Sequence, residues 1–335
     1  PIESVRASVF IKKYMDFPVE TALEDPDGEP AQGGALNPGA EASIPLKVLL
    51  NEEVFTLQED LPIQARIEVT GRSGGTEVSS VFNKTITLDR RTALSWDRSE
   101  KLAAFIMPNE EVVSRFAHRV LDEREYEAAS GLPEKVVRAA RICDGVGKYG
   151  IAYIEDPESP ISQVLERESV IDTVRFPRTT LFIKSGDCDD TTALLGSLLE
   201  SVGVKTAIMT SPGHVFLAMD TGEPAGNSWL YSYSGQETLS YNGTVWIPLE
   251  TTVLGRGFTE VWTEASRLVA VHKPKQELEF LPVTELRDEF PPLPLSGQSS
   301  LAIAIPPAES VTPQFVRSLQ GLRNSLYAQT LGTLQ

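Results

Sequence analysis

Phe182-Ile-Lys-Ser-Gly-Asp-Cys-Asp-Asp-Thr-Thr-Ala-Leu-Leu-Gly-Ser-Leu-Leu-Glu-Ser-Val-Gly203 is the stretch whose reading decides the fold. From Asp190 onward it reads as a helix. Ala193, Leu194, Leu198 and Leu199 fall on one face, and Gly203 closes the end. Asp187, Asp189 and Asp190 crowd the first turn, where carboxylates suit the positive end of the helix macrodipole. Cys188 therefore stands at a helix N-terminus, behind a flexible Gly186. Free backbone N–H groups there favour a thiolate, while the neighbouring carboxylates oppose it, so full activation needs a cationic partner.

The chain holds three histidines, which narrows the choice of partner. His118 lies in the helical run Phe116-Ala-His-Arg-Val120, and His272 precedes Lys273-Pro274 at a helix end; both read as packed or surface histidines. His214 follows Ser211-Pro-Gly213 and opens a strand, His214-Val-Phe-Leu-Ala-Met219, with another strand, Lys205 to Thr210, ahead of it. A helix bearing Cys at its start, followed by two strands with His heading the second, brings thiol and imidazole together.

A base of this kind needs an acceptor that fixes its tautomer. Asp220 is too far along the same strand, since six residues span roughly 20 Å at ~3.4 Å each. Glu250 fits better. It ends the strand Thr244-Val-Trp-Ile-Pro-Leu-Glu250, which an Asn242-Gly243 hairpin turn joins to Leu239-Ser-Tyr241. Antiparallel pairing with the His214 strand brings that end level with His214.

Gly186-Asp-Cys188 with its Ala-Leu-Leu helix, Gly203-Val-Lys205, Gly213-His-Val-Phe216 and Trp246-Ile-Pro-Leu-Glu-Thr251 together resemble the transglutaminase-like superfamily. Phe176-Pro-Arg-Thr-Thr-Leu181 resembles the helical lead-in that precedes the family's Cys. The resemblance covers roughly residues 160–265. It implies a papain-like arrangement, with Cys on a helix start and His and an acid on adjacent strands. It also implies a thiol acyl-transfer enzyme in which Cys188 is the nucleophile, His214 the base and Glu250 the third member, where the family usually carries Asp. The expected substrate is an amide in a peptide or protein, attacked to form a thioester, with hydrolysis of the cysteine-peptidase type favoured because the superfamily has many such members in microbes. No cofactor is expected. The Cys188 backbone N–H is the natural first oxyanion donor, and the second is not identified by sequence beyond a side chain between Tyr149 and Phe182. The rival reading is a catalytically silent scaffold or interaction module that keeps the fold.

Other readings of the same residues are weaker. Flanked by three aspartates, Cys188 is not expected to be buried among apolar groups, whereas Cys143, between Ile142 and Asp144 on a helix, reads as structural. The aspartate cluster lacks the later ligands of a calcium loop, and the Cys and His residues lack zinc-ligand spacing, so no metal site is expected. Trp229, Tyr231 and Tyr233 read as one face of a strand.

The flanks complete an α+β chain of 335 residues. Ser4 to Ile11, Ser43 to Leu50, Ile63 to Thr70 and Val78 to Leu88 read as strands of an antiparallel β-sandwich over residues 1–105, with a long loop from Phe17 to Ala42 and a hairpin turn at Gly71 to Gly75. The catalytic domain is placed at 106–285, entered by a helix capped by Asn109 and another that starts at Pro133 and is ended by Gly145, Gly147 and Gly150. Residues 286–335 read as a Pro-rich linker, a short strand from Ser299 to Ile305, and a helix from Thr312. That helix carries a stripe of Phe315, Leu319, Leu322 and Leu326 on which a partner domain can dock. A net charge of −17 disfavours nucleic acid and anionic membranes. No apolar run is long enough for a membrane span, so a soluble protein is expected. The two cysteines make no disulfide framework. The start at Pro1 reads as a trimmed form, with export to the periplasm expected if a signal sequence precedes it.

Overall fold

A computed structural model describes residues 1–23, 35–121, 131–155, 171–231, 236–295 and 302–332, the last eight by backbone alone. The chain is α+β with antiparallel sheets. It divides into two units, Pro1–Arg91 and Thr92–Gln335.

In the first unit, β1 (Glu3–Phe10), β2 (Val19–Ala22), β3 (Leu61–Ser73) and β4 (Thr76–Leu88) form one antiparallel sheet in the order β2-β1-β3-β4. The expected sandwich is corrected: among the described residues there is a single sheet. Ser43 to Leu50 forms no strand, because Pro45 lacks a ladder donor and Val48-Leu49-Leu50 is a run rather than an alternation. Part of the expected Phe17–Ala42 loop is strand β2, and residues 24–34 lie outside the described residues. The hairpin turns tightly at Gly74 and Gly75, both at positive φ, so that Ser73 pairs with Thr76. A small core of Val9, Ile11, Tyr14, Met15, Leu57, Ala65 and Leu88 lies on one face.

The second unit starts earlier than the expected boundary at residue 105. Its first strand, β5 (Ala93–Ser95), pairs with β7 (Ile171–Thr173), and the 3-10 helix Ser99–Phe105 buries Leu102, Ala103 and Phe105. Helix α1 (Glu111–Val120) has Glu110, not Asn109, at its cap. Pro133 caps α2 (Glu134–Tyr149), which ends at a left-handed Gly150. Gly145 and Gly147 lie inside α2 and do not end it. They allow close approach: a Cβ on Gly147 would stand 2.8 Å from the Leu254 carbonyl oxygen.

The centre of the unit is a five-stranded sheet in the order β11-β12-β10-β9-β13: Leu239–Tyr241, Thr244–Leu249, His214–Pro224, Thr206–Ser211 and Glu279–Pro282. Every adjacent pair is antiparallel. Three helices complete this part: α3 (Pro177–Ile183), α4 (Cys188–Ser201) and α5 (Phe258–His272). On one face, Leu217, Met219, Val245 and Ile247 pack with α2 and α4 in the main core. On the other, Phe216, Ala218, Met209 and Trp246 meet Ala265 and Val269 of α5. The central strands are therefore apolar throughout rather than alternating, because both faces are covered.

The C-terminal segment belongs to this unit. After the short α6 (Val283–Leu286), α7 (Ala308–Gly332) starts ahead of Thr312 and carries Pro313 inside. Arg141 of α2 holds the early turns, donating to the Ala308 carbonyl at 2.6 Å and lying 4.9 Å over the Phe315 ring. Phe315, Leu319 and Leu322 are buried in the unit's own core, which corrects the expected partner-docking stripe; the Leu326 side chain lies outside the described residues. Residues 302–305 are not strand. Among the described residues, no helix is long and apolar enough to cross a membrane.

Asp144 of α2 is buried behind α7 and accepts the Phe258 N–H at 3.1 Å. Burial pushes its carboxyl up to about 6, with the Ser318 hydroxyl, the Phe258 N–H and the Arg141 charge pulling back only in part. Raised above its unfolded value, the group costs nothing below about pH 4, and its ionisation destabilises the fold increasingly up to about pH 6. Urea unfolding at about pH 4 and pH 7 should show Asp144→Asn lacking a decline of about 2–3 kcal/mol that the wild type undergoes. Identical slopes for the two proteins would reject this assignment.

Candidate active site

Cys188 is the first residue of α4, and its N–H is one of the donors left free at a helix start. Asp187 is the N-cap, and its side chain accepts from the Asp190 N–H. Gly186 serves space rather than flexibility: a Cβ there would lie 2.6 Å from the Asp190 Cβ. The Asp190 carboxylate accepts the Arg175 N–H at 2.6 Å and pairs with the Arg175 guanidinium. Trp96 donates from Nε1 to Asp172 at 2.8 Å.

The carboxylates of Asp187, Asp189 and Asp190 have oxygens within 4.8 Å of one another. All three accept hydrogen bonds: Asp187 caps the helix, Asp190 is the partner of Arg175, and Asp189 accepts the Asp190 N–H at 2.6 Å. Burial, then the Asp187 hydrogen bond and the charges of Asp187 and Asp190, push the Asp189 carboxyl well above the usual range.

Cys188 is 2% exposed, contrary to the expectation that its aspartate flanks keep it out of apolar surroundings. It packs with Val174, Phe176, Ala193 and Val215, because α4 turns its first residue inward against β10. Burial pushes its thiol well above the usual range, and the charges of Asp189 and Asp187 add to that. The Val215 N–H works in the other direction by donating to the sulfur. That contact sets the thiol against the residue next to His214.

His214 opens β10 after a tight turn in which Gly213 takes positive φ, and it pairs with Ser211 across the hairpin. Its ring stacks on Phe216 with centroids 5.9 Å apart. Nε2 of His214 lies 2.7 Å from Oε2 of Glu250. The strands β10 and β12 pair antiparallel with Leu217 opposite Leu249, so Glu250 leaves its strand one residue beyond that rung. Oε1 of Glu250 accepts the Thr252 N–H at 2.9 Å and the Thr252 hydroxyl at 2.7 Å, capping the 3-10 helix Thr251–Arg256. Burial alone would raise the Glu250 carboxyl, but the His214 hydrogen bond and charge together with the Thr252 donors outweigh it and hold the group below its ordinary value. Thr251, next in the chain, hydrogen-bonds Thr191 at 3.0 Å and Thr192 at 3.1 Å, tying the acid's segment to the first turn of α4.

The sequence-predicted Cys188, His214 and Glu250 thus lie at three neighbouring element ends. His118 has no part in this cluster, and His272 bonds Glu277 at 2.8 Å on the far end of α5. Asp220 is held by Lys135 at 2.8 Å. Trp229 and Tyr231 lie on a 3-10 helix (Ala225–Tyr231), not a strand; Tyr231 is spent on the core against Trp262, and Tyr233 lies outside the described residues.

A cleft of about 610 Å³ opens beside His214, lined by Trp96, Arg98, Thr210, Ser211 and Glu279 among others. Among the described residues the buried Ser211 hydroxyl has no hydrogen-bond partner. Sequence reasoning missed both Trp96 and Ser211; Ser211 adjoins the Pro-Gly turn before His214, a signal that was there to read. Within the stretch between Tyr149 and Phe182, Tyr153 lies on the two-residue strand β6 (Ala152–Tyr153), which runs parallel to β8 (Ser185–Gly186) just ahead of Cys188. No family model matches this chain, and neither a curated protein nor a solved structure is significantly similar to it.

Proposed function

We propose that the unit Thr92–Gln335 is a thiol acyl-transfer catalyst of the transglutaminase-like kind, with a papain-like core, acting on an amide of a peptide or protein. The observation that carries this reading is the 2.7 Å bond between His214 Nε2 and Glu250, made beside a thiol that receives the Val215 N–H. With Nε2 committed to the carboxylate, Nδ1 is the ring atom left to take the thiol proton. Cys188 sulfur then adds to the carbonyl carbon, and the carbonyl electron pair moves onto oxygen, which the Cys188 N–H stabilises. As the C=O re-forms, the imidazolium gives its proton to the leaving amine and a thioester remains. Water, activated by the same imidazole, releases the acid. Hydrolysis is the favoured outcome.

A second reading has an observation of its own. A thiol that is 2% exposed and pushed up by burial suits a silent scaffold equally well. The two separate on one experiment. After incubation with p-nitrophenyl acetate, peptide mapping by mass spectrometry should find the acetyl group on the Cys188 peptide. Acetylation confined to surface lysines would establish the scaffold and end the catalytic reading.

A further inference from the structure

The cleft beside His214 is walled by charge of mostly one sign. Among the described residues Asp97, Glu100, Glu277 and Glu279 line it against a single permanent cation, Arg98. Three of these carboxylates are already matched. Lys101 pairs with Asp97, and Arg98 lies 3.6 Å from Glu100 while also holding Glu289. Glu277 is shared by His272 at 2.8 Å and Lys275 at 3.8 Å. Glu279 is different. Its carboxylate accepts the Thr210 hydroxyl at 2.8 Å, and among the described residues no Lys, Arg or His lies within ion-pair distance of it.

The sheet fixes where that unmatched charge stands. Glu279 of β13 is opposite Thr210 of β9, and Thr210 is opposite Val215 of β10, whose N–H reaches the Cys188 sulfur. Side chains directly opposite one another share a face, so Glu279 and Thr210 lie on the thiol's side of the sheet. Two strand spacings, roughly 10 Å, separate Glu279 from Val215. A second polar group of the cleft lacks a partner. Ser211 is 4% exposed and lines the cleft, and among the described residues its hydroxyl makes no hydrogen bond. A hydroxyl buried unbonded costs stability, so an occupant that brings donors fits here. Trp96 adds an apolar wall, its ring fixed by the Nε1 bond to Asp172 at 2.8 Å.

We propose that this cleft receives a lysine or arginine side chain carried on the leaving-amine side of the substrate, with Glu279 reading its charge. The proposal rests on the acyl-transfer reading, in which the His214 imidazolium hands its proton to the leaving amine. That amine must pass beside His214, where the cleft opens. An ammonium or guanidinium carries donors alone, so it matches both the Glu279 carboxylate and the Ser211 hydroxyl oxygen. Its alkyl stem lies along Trp96, whose ring face also attracts a cation. The net charge of −17 draws the same kind of substrate from a distance. The cationic side chain makes and breaks no bond. It holds in place the amide whose C–N bond breaks after the C–S bond has formed.

The test uses two esters of one shape on the full chain. p-Amidinophenyl acetate carries a cation on its leaving group, and p-carbamoylphenyl acetate is its neutral isostere. Acetylation of Cys188 by each is followed by peptide mapping with mass spectrometry and divided by that ester's rate with N-acetylcysteine. The ratio of the two corrected rates isolates the charge from general reactivity. In the wild type the cationic ester should be favoured about tenfold, the scale of one charge-assisted hydrogen bond. In Glu279→Gln the ratio should fall below about twofold. A wild-type ratio near one, with Cys188 acetylated by both esters, overturns the cation site and leaves acyl transfer standing. A high ratio that survives Glu279→Gln puts the recognition elsewhere and overturns the proposal too. If neither ester acetylates Cys188, the acyl-transfer reading fails, and the role of the cleft falls with it.

Discussion

Replacing His214 by alanine slows acetylation of Cys188 at pH 7 by about 10⁴-fold, the scale seen when the base of such a group is disabled. The size follows from the surroundings of the thiol. Burial and the carboxylates of Asp189 and Asp187 push it well above the ordinary range, and the Val215 N–H offsets this only in part. At neutral pH the sulfur of the variant is almost wholly protonated and nothing beside it accepts the proton. The sign of the pH effect is fixed by the same direction. In His214→Ala the rate rises about tenfold per pH unit through pH 9, because only the rare thiolate reacts. In the wild type the rate does not depend on the rare thiolate alone, because His214 takes the thiol proton as the sulfur reacts. Stopped-flow release of p-nitrophenolate across pH 6 to 10 reads both. A variant within tenfold of the wild type at pH 7 would remove His214 from the chemistry.

Trp262→Ala is expected to cost about 3–5 kcal/mol of stability, the range for truncating a large buried aromatic. Trp262 is 1% exposed and packs edge-on against Tyr231 at 6.0 Å and at a tilt against Phe258 at 6.3 Å. Its Nε1 donates to the Glu237 carbonyl at 2.9 Å, so alanine leaves both a cavity and an orphaned acceptor. For a unit of this size that amounts to a fall in the thermal midpoint of about 6–20 °C. Calorimetry on the full chain measures it, and a shift under about 3 °C would show that the core closes over the gap.

How far the sequence is legible depends on which force sets each feature. The helix α4, the β9–β10 hairpin and the β11–β12 hairpin follow from local signals: carboxylates at a helix start, Pro212-Gly213 before a strand, and Asn242-Gly243 at a two-residue turn. The pairing of β10 with β12, which brings Glu250 to His214, is a long-range contact that the sequence reading had to suppose. Features set by distant packing were not legible. Cys188 reads as exposed from its flanks, yet the inward turn of α4 decides its burial. The alternation Trp229, Tyr231, Tyr233 has the period of a strand, but the 3-10 helix buries Tyr231 against Trp262, a partner far along the chain. The stripe on α7 is as apolar as a docking face would be, and the core it covers lies on α2. Tyr153 is written as one aromatic in Ile151-Ala-Tyr-Ile154, indistinguishable from any short strand. Its pairing with β8 is set by the tertiary fold.

The two-sided grip on Glu250 bears on why this position holds Glu rather than Asp. One oxygen is claimed by the Thr252 backbone and hydroxyl, the other by the His214 ring. The side chain is therefore a strut spanning two anchorages, one that starts a helix and one that aims a base. Its length is set by the gap between them, and an acid one methylene shorter would have to release one anchorage to keep the other. Glutamate is the gauge that this turn of the backbone calls for.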